Sequence, residues 1–125
     1  MGRALTIKEL MDRKQELAGR KNRTHQLDTP IGTVTVKQPT TALVVEAQKL
    51  DGAESDFYLI YESMIQPNLK DKDLQAAYGC VDPMSIVSEI FLPGEIAAVS
   101  KAIMLTAGFG TKVEAIKKQA DDLKN

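Results

Sequence analysis

Cys80 sits in the stretch Ala76-Ala77-Tyr78-Gly79-Cys80-Val81-Asp82-Pro83 as the only thiol of the chain, and His25 is its only imidazole. A cysteine nucleophile needs a neighbour that favours its thiolate, most often a histidine. His25 lies far away in sequence with no motif around it to suggest a dyad. The corner has a simpler explanation: Gly79 stands where a helix end wants a left-handed residue, and Asp82-Pro83 reads as the cap and first position of the next helix. Cys80 between them is expected to be a small buried hydrophobe.

Other chemistry fares no better. A zinc site needs more Cys or His than the chain has, and Asp71-Lys72-Asp73 lacks the length and terminal Glu of a calcium loop. Glu54 with Asp56, and Asp121 with Asp122, are paired carboxylates. Acid and base work needs an apolar site around such a pair, and these lie in polar sequence. Gly108-Phe109-Gly110 is too short to cradle a phosphate and reads as a turn between helices. No catalytic, cofactor or metal residues are expected, and hence no enzyme.

The elements that would position any site are mainly helical. Thr6 with Glu9 has capping-box spacing, followed by Ile7, Leu10, Met11 and Leu17 on one face. A small β-hairpin is predicted near residues 25–37, pairing His25 to Leu27 with Ile31 to Lys37 around an Asp28-Thr29-Pro30 turn. Thr40 starts a helix bearing Leu43, Val44, Ala47 and Leu50. The central helix is placed at Phe57 to Ile65, because that run leaves almost no polar face. Asp71 caps a short helix through Tyr78, Asp82-Pro83 launches another with Ile86 and Val87, and Glu95 begins one that runs to Gly108. Thr111 with Glu114 repeats the capping-box spacing ahead of a last helix, 112–123. The expected architecture is one mainly α (α+β) domain over residues 1–125, with six or seven helices and the last one loosely docked.

A 43% hydrophobic content fills one core at this length. Residues 1–23 carry seven Lys or Arg against three acids, a balance of +4 that leaves −5 for the rest of a chain whose net charge is −1. Arg13, Lys14, Arg20, Lys21 and Arg23 could meet phosphates, so a small nucleic-acid-binding or regulatory protein is the alternative function. No aromatic residue is interleaved with them to stack on bases, which argues against it. The opening MGRALTIKEL lacks the apolar core of a signal peptide, and the longest apolar run, Phe57 to Tyr61, is too short for a membrane. A cytoplasmic protein is expected.

The segments ELMDRKQELAGRKNRTHQL, YLIYESMIQPNLKDKDLQAAYGCVDP and IVSEIFLPGEIAAVSKAIM together resemble the XkdN-like tail assembly chaperones of tailed bacteriophages and prophages. The most specific part is Pro67-Asn68-Leu69-Lys70-Asp71-Lys72 with Leu74-Gln75 and Ala77-Tyr78-Gly79, then Ile90-Phe91 and Pro93-Gly94-Glu95-Ile96. The resemblance implies a non-enzymatic helper in the bacterial host cytoplasm. It would keep the tape measure protein soluble, help tail tube subunits assemble around it, and leave before the particle is finished. Such proteins are often made in a short form and as a frameshifted extension, and a chain ending at Asn125 looks like the short form. No catalytic residues come with the resemblance.

A partner surface is expected on the last helix. Val113, Ile116, Ala120 and Leu123 recur at three- and four-residue spacing like one seam of a coiled coil, with Lys117, Lys118, Asp121 and Asp122 on the other sides. So thin a seam gains little from packing on its own domain, which leaves it free for a client helix or a sister copy.

Overall fold

A computed structural model describes residues 4–115. Helices α1 (Ile7–Asp12) and α2 (Lys14–Gly19) precede strands β1 (Thr24–Thr29) and β2 (Gly32–Lys37). Then come α3 (Thr41–Gln48), α4 (Ala53–Ser63), strand β3 (Met64–Gln66), α5 (Lys72–Ala77), a 3₁₀ turn at Pro83–Ser85, α6 (Ile86–Ile90) and α7 (Pro93–Thr106). The described chain is mainly helical with one three-stranded antiparallel sheet in the order β1-β2-β3.

Local chemistry sets most boundaries. Thr6 Oγ accepts from the Glu9 amide at 3.1 Å, Thr40 Oγ from the Leu43 amide at 3.1 Å, and Asp71 Oδ1 from the Leu74 amide at 2.9 Å. Each satisfies a donor that the first helical turn leaves unpaired. Asp82 Oδ1 accepts from Met84, as expected of a cap followed by proline, although the first turn there is 3₁₀. At α7 the helix begins at Pro93 rather than Glu95, and Glu95 instead reaches back to accept from the Leu92 amide at 2.9 Å.

The hairpin is where expected, but its turn is tighter. Thr29 pairs with Gly32, leaving Pro30-Ile31 as a two-residue connection. Thr29 Oγ accepts from the Ile31 amide and donates to the Gly32 carbonyl at 2.6 Å, which holds the reversal.

Two expectations change. The first helix breaks at Arg13 into α1 and α2, and neither piece buries a residue, so no packing surface holds them as one rod. The central helix ends at Ser63. Met64 and Gln66 pair with Val36 and Thr35 of β2, where an open strand edge supplies hydrogen bonds and the approach to Pro67 favours extended backbone.

The core gathers Val34 and Val36 from the sheet, Leu59 and Ile60 from α4, Met64, Leu69, Ile86, Val87, Phe91, and Ile96, Val99 and Ile103 from α7. α4 packs chiefly on α7 and α3, as a central helix must. Its polar contact with α7 is also met, since Ser100 Oγ donates to Asp56 Oδ1 at 2.6 Å.

At the Cys80 corner the Gly79 amide donates to the Ala76 carbonyl and the Cys80 amide to the Gln75 carbonyl, both at 3.0 Å, with Gly79 at φ 66°. This is the double closure of a Schellman motif. Cys80 is half-buried against the core rather than fully enclosed. Cys80→Ser is expected to cost about 1 kcal/mol. Gly79→Val is expected to cost more, about 1–3 kcal/mol, from backbone strain alone because no atom crowds a side chain there. Urea unfolding of both variants checks the order, and a valine variant as stable as the parent would rule out this role for Gly79.

Candidate functional site

The residues singled out for chemistry are dispersed. His25 lies on β1 opposite Val36, half-buried, with Nε2 3.3 Å from Gln38 Oε1. Gln38 in turn donates to the Arg20 carbonyl at 2.8 Å, tying the end of α2 to the sheet. Cys80 belongs to the α5 corner, so the structure does not join the two as a dyad. Asp71 is used as a helix cap and Asp56 as the acceptor for Ser100. Among the described residues no three His, Cys, Asp or Glu side chains gather where they could hold a metal ion. Asp121 and Asp122 lie outside the described residues.

Gly108 is a second Schellman position: its amide donates to Leu105 and the Phe109 amide to Met104, at φ 92° for Gly108. Gly108 thus ends α7, as the sequence suggested, but no helix follows the turn within residues 111–115. The Thr111 amide donates to the Gly108 carbonyl, and residues 111–115 form no helix. The last helix therefore does not start at Thr111 or Lys112, because the chain is still turning there. Of the four seam residues, Val113 is 91% exposed, while Ile116, Ala120 and Leu123 lie outside the described residues.

The basic N-terminal region is partly neutralised within itself. Lys8 Nζ meets Asp12 at 3.0 Å and Arg13 meets Glu16 through two hydrogen bonds, the shorter 2.8 Å. The hydrogen bond from Arg13 holds the Glu16 carboxyl below the usual carboxylate range. Arg23 donates to the Gly19 carbonyl at the end of α2. Arg20, Lys21 and Arg23 line a cleft of about 410 Å³ together with Leu17, His25 and Leu105. Beside it a larger cleft of about 660 Å³ runs between α3 and the end of α7, with Val45 and Phe109 in its walls.

The sequence puts Ile7, Leu10, Met11 and Leu17 on one face; in the structure Leu17 is half-buried, while Ile7 is 78%, Leu10 45% and Met11 71% exposed. The break at Arg13 leaves α1 with six residues, too few to hold a helix by propensity.

No helix among the described residues is long and apolar enough to cross a membrane. No curated protein matches the chain significantly. A crystal structure described as the protein yqbn shares the fold, at a TM-score of 0.56 and 22% identity over 69% of this chain and 87% of that one. Residues 5–120 match the family described as phage XkdN-like tail assembly chaperone protein, TAC. A match over nearly the whole sequence, on a mainly helical fold with a small sheet, makes this chain a member of the phage XkdN-like tail assembly chaperone family.

Proposed function

We propose that this chain acts in the host cytoplasm without catalysis, binding the tape measure protein of a phage or prophage tail and keeping it soluble while tail tube subunits assemble around it. The observation that carries this reading is the family match over residues 5–120. The client surface is assigned to the seam Val113, Ile116, Ala120 and Leu123. Its support is the spacing of those residues in the sequence, together with the exposure of Val113, which lies in the non-helical stretch 111–115.

Deleting residues 111–125 tests the surface. The truncated chain is expected to keep the parent's melting temperature and to lose capture of co-expressed tape measure protein. A destabilised or insoluble truncation would mean that the segment covers the domain's own core. Retained capture would place the client elsewhere.

A further inference from the structure

The two edges of the sheet are finished differently. β3 is three residues long, its register with β2 shifts between Thr35 and Val36, and Pro67 follows it, all of which keep a further strand away. β1 has no such guard: its six residues pair with β2 in unbroken register, with no lysine or proline among them. The Gln38 amide donates to the Arg23 carbonyl at 3.0 Å, which sets the phase of that ladder. His25, Leu27 and Thr29 therefore bond to β2, while Thr24, Gln26 and Asp28 each turn an N–H and a C=O outward, where they find no hydrogen-bond partner among the described residues. Such an edge takes an extended backbone. The residues of β1 indicate whose. Antiparallel pairing with β1 of a second copy, centred on Gln26, sets Thr24 opposite Asp28 of the second copy and Gln26 opposite its Gln26, so every outward group is satisfied. Centring on His25 would leave Asp28 facing Asn22, beyond the strand, and centring on Leu27 would set Thr24 against Pro30, which has no N–H. Side chains on the exposed face match in the same register. The Asp28 carboxylate, whose Oδ1 accepts from Thr33, has its other oxygen for the Thr24 hydroxyl of the second copy, the two Gln26 amides can donate to one another, and no like charges face each other. On the inner side a mostly apolar cavity of about 210 Å³ lies between Leu27 and α7, where Ala98 and Ala102 leave room. His25 of the second copy comes opposite Leu27 and covers it.

We infer that β1 is a self-association edge, which pairs antiparallel with β1 of a second copy of this chain about a two-fold axis at Gln26 and joins the two sheets into one. The interface is small, so the dimer is weak and forms at high protein concentration. It does not use residues 111–125 and stands apart from the proposed client surface.

Sedimentation equilibrium of the full chain tests this. The parent is expected to show a reversible monomer–dimer equilibrium, and Gln26→Pro to weaken it by about tenfold or more. The melting temperature should stay unchanged, because the N–H that proline removes faces solvent in the monomer. Charge at the axis is more specific. Gln26 is its own partner in this register, so Gln26→Lys alone and Gln26→Glu alone each set like charges face to face and are expected to be monomeric. An equimolar mixture of the two is expected to associate, since the facing pair is then opposite in sign. These two exposed substitutions leave the backbone intact and decide the matter if the proline variant melts below the parent. A parent that stays monomeric up to about 1 mM overturns the inference. So does a mixture of charge variants no more associated than either alone, or a dimer that survives Gln26→Pro. A dimer kept in Gln26→Pro but lost on deleting residues 111–125 would place self-association on the terminal seam instead. Loss of tape measure capture in Gln26→Pro with dimerisation unchanged would assign the β1 edge to an extended segment of the client.

Discussion

Ile60→Asp is expected to leave the chain without a cooperative melting transition. Ile60 is fully enclosed at the middle of α4, the helix that packs on both α3 and α7, and neighbours such as Leu59, Val87 and Ile103 belong to the same apolar core. A carboxylate there has no cation to pair with. It must either be buried charged or take up a proton, and either course costs several kcal/mol out of a total stability of about 5–15 kcal/mol. Circular dichroism and thermal melting read the result. A variant that melts like the parent would contradict the placement of α4 at the centre.

Ile103→Ala is expected to lower stability by about 2–5 kcal/mol while the chain still folds. Ile103 is fully buried on α7, so truncation removes apolar contact and opens a cavity that rigid neighbours on α4 only partly fill. Leu105, two residues on and 51% exposed, is the control: Leu105→Ala should change stability by about 0.5 kcal/mol or less. Urea unfolding should show a lower midpoint for Ile103→Ala with an unchanged slope, and equal midpoints for the two variants would mean that α7 is not docked through Ile103.

What could be read in advance follows from the range of each interaction. Caps at Thr6, Thr40, Asp71 and Asp82, and the helix end at Gly79, were legible because each is a hydrogen bond or backbone conformation within a few residues of its own sequence. The hairpin was legible from β-branched alternation, yet its turn slipped by a residue because Thr29 can serve either as a turn residue or as the last strand pair. Strand β3 was not legible. Met64-Ile65-Gln66 continues an apolar helical pattern, and only the open edge of β2, nearly thirty residues away, draws it into the sheet. The exposure of Ile7, Leu10 and Met11 was not legible for a related reason: periodicity says which residues share a side, while what lies against that side depends on the whole fold. For the proposed client seam the sequence pattern is the main support, joined by the exposure of Val113.

The central claim is that this member of a tail assembly chaperone family holds a tail protein through apolar helical contacts. The most direct measurement is co-expression of the full chain with the tape measure protein of the same phage, followed by affinity capture and washing at low and then moderate salt. The account predicts a soluble tape measure protein that remains bound through the salt step, because burial of apolar surface is little screened. A tape measure protein that stays insoluble or is not captured would contradict it. So would a chain that instead retains nucleic acid and releases it steeply between the two salt concentrations, the signature of phosphate contacts by Arg20, Lys21 and Arg23.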